Sequence, residues 1–344
     1  FVFLFCFTSF GVVQVLGDGQ MRTLEVEIYR RTAYLLDLPA AAALALLQLV
    51  AVVAMLVVIG RGRRTVAGRA VDVARRPRGW RESALVGGVA VVTAVLVLGP
   101  LLVIAARSLL VGDQWSTAGW QLLFSPGEST NAVDPWRAVL ASLRTSVAAT
   151  LLAVAVGGAA AVGLAMGRRG TWLRSVDAML LLPLGTSAVT VGLGMLLAFG
   201  RPPVDLRNTG LLIVLAQALV AMPFVVRVLA PGLESFDRRY LEVAALLGRT
   251  PWQAMRSVAV PLLLPLIAVA VGFAFAVTLG EFGATVFLAT PADPTLPVAI
   301  SRMLARPGAV TVAAAYAAST VLMVVTAAVV VAIDRVRVGK AVVF

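Results

Sequence analysis

The chain has 344 residues, 60% of them apolar and 13% charged, with Lys and Arg outnumbering Asp and Glu by 29 to 17. It contains no His and one Cys, which excludes an intramolecular disulfide, imidazole metal ligands and histidine proton relays. Its sole lysine, Lys340, is followed by Ala341, so a GxxxxGK[ST] phosphate loop cannot form and any ATP must be bound by another chain.

Eight uncharged, mostly apolar runs lie between the charges: 1–17, 38–60, 83–106, 145–167, 178–200, 208–226, 257–280 and 307–333. About 20 residues of helix cross the hydrocarbon core. Backbone polar groups inside lipid must be satisfied within their own segment, so such runs predict helices. The expected fold class is an all-α integral membrane protein with about eight spanning helices. Cys6 falls within the first run, where a thiol is inert and buried.

The basic residues set the orientation. With the C-terminus cytoplasmic, the inner segments 61–82, 168–177, 227–256 and 334–344 hold 19 of the 29 basic residues. The outer segments are then 18–37, 107–144, 201–207 and 281–306. The net charge of +12 therefore reads as topology and points to no nucleic-acid partner. Segment 61–82, with eight arginines, suits a linker lying against anionic membrane lipid.

Sliding the chain by 272 residues aligns its start with its end. Phe1, Phe3, Phe10, Gly11 and Leu16 match Phe273, Phe275, Phe282, Gly283 and Leu288, and Thr23, Leu24, Val26, Ile28 and Arg30 match Thr295, Leu296, Val298, Ile300 and Arg302. This pattern implies an internal duplication, with parallel copies related by an axis along the membrane normal. Residues 1–60 are read as the last two helices of a first repeat, 61–82 as a cytoplasmic linker, 83–333 as a complete six-helix second repeat, and 334–344 as a cytoplasmic tail. On that reading the chain is part of a longer, twelve-helix protein.

A hairpin is predicted at 231–261. Phe236, Tyr240, Val243 and Leu247 form one helical stripe, with Ser235, Arg238, Arg239 and Glu242 around it. Gly248 suits the left-handed residue that closes a helix, Thr250 an N-cap, and Pro251 the first turn of a second helix that Pro261 is expected to stop. Here the chain resembles binding-protein-dependent ATP-binding-cassette importer permeases, which carry a loop E-A-A-x3-G-x9-I-x-L-P. The sequence reads Glu242-Val243-Ala244, then Gly248, then Val258-Ala259-Val260-Pro261, with every spacing kept and Val in place of one Ala, the Ile and the Leu.

The resemblance implies a coupling loop seated in a groove of an ATPase subunit, two such ATPases binding the ATP, an extracytoplasmic substrate-binding protein, and a place in the bacterial plasma membrane. The segment Gly280-Glu281-Phe282-Gly283-Ala284 and the motif Thr295-Leu296-Pro297-Val298-Ala299-Ile300 resemble the iron(III) branch, and Phe7-Thr8-Ser9-Phe10-Gly11 the thiamine branch. Polyamine, sulfate or molybdate permeation are the alternatives within the family. An ion-coupled secondary transporter is the alternative outside it, and it lacks ionisable groups in these runs. A scaffold or an intramembrane enzyme is a further class, without an obvious home for acid–base or metal chemistry.

Two polar residues stand out as pathway candidates. Glu281 is expected to line the outer mouth of the pathway, and Gln217, inside a span, is the second. The repeated outer segments, with Thr23, Leu24, Thr295 and Leu296, are expected to receive the binding protein. Pro183, Pro223 and Pro265 are expected to kink or end their helices.

Overall fold

The computed structural model describes residues 10–17, 23–62, 79–125, 134–167, 186–201, 204–207, 209–237, 239–290 and 293–338, together with Val176, Asp177, Met179, Leu180 and Pro183. Cys6, Ser9, Arg238, the arginines from Arg63 to Arg78 and the tail from Gly339 lie outside the described residues.

In chain order, the short helices α1 (Gly11–Leu16) and α2 (Leu24–Ala33) precede the long α3 (Leu38–Gly62) and α4 (Trp80–Arg107). A small hairpin, β1 (Leu110–Val111) and β2 (Gln114–Trp115), leads to α5 (Ala118–Phe124) and the long α6 (Pro135–Met166). Next come α7 (Ala188–Phe199), a hairpin of β3 (Gly200–Arg201) and β4 (Val204–Asp205), and α8 (Leu211–Glu234). The chain then forms α9 (Arg239–Leu246), α10 (Pro251–Ala254) and, through a π turn at Met255–Ala259, α11 (Val260–Leu279). The last elements are α12 (Thr285–Leu288), α13 (Leu296–Leu304) and α14 (Ala309–Val338).

Among the described residues, six helices are long and apolar enough to cross a membrane: Leu38–Met55, Trp80–Arg107, Pro135–Met166, Leu211–Glu234, Pro251–Leu279 and Ala309–Arg335. The runs 1–17 and 178–200 fall partly outside the described residues, and their described helices are α1 and the 12-residue α7. Starts follow local chemistry. The Asp134 carboxylate accepts from the N–H groups of Trp136 and Arg137 at 3.1 and 3.2 Å, with Pro135 in the first turn of α6. The Ser187 hydroxyl accepts from the Val189 N–H at 3.0 Å and starts α7.

Pro261 behaves differently from the sequence expectation. Pro261 does not stop a helix, because one continuous helix runs from Pro251 to Leu279. The π turn widens the helix just before Pro261, where the ring would otherwise press on the carbonyl one turn earlier. Pro223 and Pro231 both lie inside an unbroken α8, and Pro265 inside α11. Helix breakers are tolerated in such settings because packed neighbours re-satisfy the freed backbone groups.

The core is built from small side chains. α8 lies between α6 and α11 through Ala149, Ala153 and Ala161, Ala218, Ala221 and Val225, and Ala270 and Ala274. Gly157 tightens this contact, since a Cβ there would sit 3.1 Å from the Met222 carbonyl oxygen. Lipid is as apolar as these residues, so the association rests on close packing rather than on water exclusion. A second core joins α5, α13 and α14, with Leu123, Leu296, Ala299, Met303 and Ala314 buried. α4 buries none of its residues; it touches α14 and β1, and most of its apolar side chains are exposed.

The early helices pack on the later part of the chain. Phe10, Ile28, Ala41 and Ala45 share a core with Val189 and Leu193 of α7. Phe10 stacks on Phe282, its partner under the 272-residue offset, at 5.4 Å and 16°. The expected outer loops contain helices, and α2 and α13 begin at residues 24 and 296, again 272 apart.

Candidate functional site

The hairpin forms between α8 and α11. α9 closes on Gly248 at φ 78°, whose N–H donates to the Ala245 carbonyl at 2.9 Å while the Arg249 N–H donates to that of Ala244 at 3.0 Å. This paired closure needs a left-handed residue, and glycine supplies it without a Cβ penalty. Two residues on, Thr250 Oγ1 accepts from the Gln253 N–H at 3.4 Å and the Thr250 N–H donates to Gln253 Oε1 at 3.0 Å. The resulting capping box, with Pro251 in the first turn, fixes the entry of α10.

Ala244, Ala254 and Ala259 form the buried inner side of the hairpin. Its outer side is apolar: Tyr240, Val243 and Leu247 are exposed, Leu246 is 87% exposed and Trp252 74%. Val243 therefore belongs to the outward face rather than to a packing face, and Ala244 takes the packing role. Glu242, Pro251, Val260 and Pro261 are exposed, and Val258 is half-buried. Leu246 and Trp252, both strongly exposed, occupy unspecified positions of the loop motif, which is why the sequence pattern does not mark them.

Glu281 does not line an open mouth. It is buried, its Oε1 accepts from the Ala284 N–H at 2.8 Å, and its Oε2 accepts from the Thr285 N–H at 3.0 Å. The carboxylate thus caps the tight turn into α12. Burial pushes its pKa up, opposed by the hydrogen bonds from Ala284 and Thr285. Gln217 is buried between helices, and its Nε2 donates to the Thr278 carbonyl at 3.1 Å. The Thr278 hydroxyl lies 3.3 Å from that of Thr150, so this cluster ties α6, α8 and α11 together.

The docking expectation for Thr295 and Leu296 is also corrected. Both are buried, because α13 packs against α14 and α6. Thr23 and Leu24 are half-buried, and Thr23 Oγ1 accepts from the Val26 N–H at 3.5 Å as the cap of α2.

Sequence reasoning missed a buried polar network between α2, α3 and α7. Glu25 is 1% exposed and accepts from Gln48 Nε2 at 2.8 Å and from the Ser187 hydroxyl. The Thr190 hydroxyl donates to Gln48 Oε1 at 3.5 Å. Burial raises the Glu25 pKa to about 7 against the pull of those two hydrogen bonds. Glu25 is one of two glutamates in the first turn of a charged amphipathic helix, and nothing in the sequence marks it rather than Glu27 as the one that faces inward. A cavity of about 310 Å³, lined by residues of α6, the start of α8 and the α12–α13 connection, was equally invisible.

Comparison with known proteins settles the family. Residues 153–337 match the family described as binding-protein-dependent transport system inner membrane component. The chain belongs to this family.

The matched stretch of this permease runs from the middle of α6 to the end of α14, so it contains the hairpin, Gln217 and Glu281. The permease is 32% identical over 237 residues to a protein named as the putative 2-aminoethylphosphonate transport system permease PhnV of Salmonella paratyphi A, covering 67% of this chain and 85% of that one. It is 28% identical over 310 residues to the thiamine transport system permease ThiP of Salmonella typhimurium, covering 86% of this chain and 54% of ThiP. The fold is that of a bacterial ABC transporter importing the acidic polysaccharide alginate, with a TM-score of 0.57, 16% identity, and coverage of 76% of this chain and 96% of that one. The permease is thus a multi-pass membrane protein of the importer class.

Proposed function

We propose that the chain is the translocation subunit of an ATP-driven importer, and that the hairpin at residues 231–261 couples it to a separate ATPase. The observation that carries this reading is the rigid, double-capped hairpin with an outward face of Tyr240, Val243, Leu246, Leu247 and Trp252. Exposed apolar surface of this kind marks a partner site when it lies outside lipid. Glu242, exposed beside it, adds a charge for register, and Gly248 lets a partner backbone approach.

In this reading two ATPase subunits bind ATP, this chain holds no cofactor, and a substrate-binding protein delivers the solute on the opposite side. The C-terminus and the hairpin are cytoplasmic, and the membrane is the bacterial plasma membrane. Two parallel repeats, 1–60 and 83–333, flank the translocation path, a division supported by the 272-residue offset between α2 and α13 and by the Phe10–Phe282 stack. For the solute, motif resemblance favours iron(III) or thiamine. Likeness to ThiP over 86% of the chain supports thiamine, and likeness to PhnV supports a phosphonate.

The test is association with the cognate ATPase. Substituting Glu242→Arg together with Gly248→Arg in the purified complex should abolish co-purification and stimulated ATP hydrolysis while the permease still folds. Undiminished association and hydrolysis in the double variant would remove the coupling role.

A further inference from the structure

Glu25 carries a carboxyl group into the contact between α2, α3 and α7, where it is buried. Gln48 Nε2 of α3 donates to its Oε1 at 2.8 Å, and the Ser187 hydroxyl at the start of α7 donates to its Oε2. Gln48 is held in turn by the Thr190 hydroxyl, and Ser187 accepts from the Val189 N–H. One side chain thus ties the ten-residue α2 to both helices that hold it.

Charge that could balance an ionised Glu25 is missing. α7 and the short α1 carry no ionisable residue, and α3 carries none before Arg61. On α2 itself, Glu27, Arg30 and Arg31 pair with one another and with Asp37. Tyr29 of α2 faces Phe10, Tyr34 and Phe287, and Arg302 of α13 acts on Tyr29. Glu281, at the turn into the α12 that packs on α7, is engaged by the Ala284 and Thr285 N–H groups. Among the described residues, no arginine lies within 4.0 Å of the Glu25 carboxyl. A carboxylate buried without a cation is costly, whereas the neutral acid keeps its hydrogen bonds at little cost. The Glu25 pKa of about 7 has the same origin, burial outweighing the bonds from Ser187 and Gln48.

We propose that Glu25 is a proton-operated latch on α2. Protonated, it keeps α2 seated on α3 and α7; ionised, it releases α2 as a local flap that lets water reach the carboxylate. The released unit is small. Glu25, Ile28 and Thr32 form the buried face of α2, so lifting this helix solvates the charge while the spanning helices stay folded. Seated, the carboxyl titrates at about 7, and released into water it titrates near 4.5. Release is therefore least favoured below about pH 4.5, grows about tenfold per pH unit up to 7, and levels off above that. α2 belongs to the segment read above as the first repeat and α7 to the second, so on that reading the latch bolts the seam between the halves. The latch itself stands without that reading, since its test uses neither ATPase nor binding protein.

Thiol labelling of the full chain in nanodiscs tests it, with Cys6→Ser removing the one native thiol. Ile28→Cys, on the buried face of α2, reports lifting of that helix. Ala218→Cys, in the core of α6, α8 and α11, reports loosening of the spanning bundle. Each labelling rate is divided by that of the same cysteine combined with Glu25→Gln, which cancels the reagent's own pH dependence. The ratio at Ile28→Cys should rise at least about tenfold from pH 5 to pH 8, and the ratio at Ala218→Cys should stay level. Thr32→Cys lies on the same buried face, should follow Ile28→Cys, and serves in its place where that variant does not fold. Ratios on α2 that do not change with pH would overturn the latch. An equal rise at Ala218→Cys would overturn it too, because the titration would then belong to the whole fold and not to α2.

Discussion

At the residue scale, Glu25 makes the sharpest prediction. Its carboxyl titrates near 4.5 when unfolded and at about 7 in the fold, because burial outweighs the hydrogen bonds from Ser187 and Gln48. Folding therefore favours the protonated form. The stability it contributes is full below about pH 4.5, declines as pH rises through 7, and is lost above that. The difference corresponds to about 3 kcal/mol. Glu25→Gln copies the neutral acid, with an oxygen for Gln48 and an N–H for Ser187. It should raise the thermal midpoint of the purified protein at pH 8 by several degrees and leave that at pH 4.5 nearly unchanged. Parallel pH profiles for parent and variant would assign the titration to another group. Close backbone contacts make the second prediction. A Cβ on Gly192 would lie 2.6 Å from the Ala284 carbonyl oxygen, and one on Gly119 would lie 2.7 Å from the Ala313 carbonyl carbon. Backbone cannot swing aside as a side chain can, so Gly192→Ala and Gly119→Ala should each cost about 1–3 kcal/mol, read as a lowered thermal midpoint.

At the scale of elements, the hairpin and the spanning helices were legible and the turns between them less so. The length of each apolar run and the spacing of Gly248, Thr250 and Pro251 are local chemistry, and local chemistry is written in consecutive residues. What escaped was which side of a short helix meets its neighbours. Val243 and Ala244 are adjacent and both apolar, and only the packing of α9 on α10 and the π turn decides that Ala244 goes inside. Pro261 was misjudged because a π turn, which no sequence pattern marks, absorbs it. Glu281 was misjudged because the two groups it bonds are backbone amides three and four residues ahead. Thr250→Ala should therefore destabilise the hairpin by about 1 kcal/mol through loss of the cap, with little effect on the spanning helices. Local hydrogen exchange at residues 250–254 would register it. Leu246→Asp with Trp252→Asp should change the unfolding free energy by no more than about 0.5 kcal/mol, as surface changes do, yet abolish ATPase association. Retained association would show that the outward apolar face is not the contact.

At the scale of the whole molecule, the family and the fold agree, and the transport reading adds what moves and what drives it. The six long helices, the small-residue core of α6, α8 and α11, and the hairpin that continues directly from α8 into α11 form one mechanical path. On the proposed reading, a push on the hairpin reaches the membrane through α8 and the continuous helix Pro251–Leu279. An external ATPase drives that arrangement on the same reading, whereas an ion-coupled carrier needs titratable groups within its spans. The direct test is uptake into proteoliposomes holding the full-length permease, its ATPase inside and its binding protein outside. The account predicts uptake that requires internal ATP, survives ionophores that dissipate every ion gradient, and is lost in the Glu242→Arg, Gly248→Arg variant. Uptake that proceeds without ATP and collapses with the ionophores would contradict it.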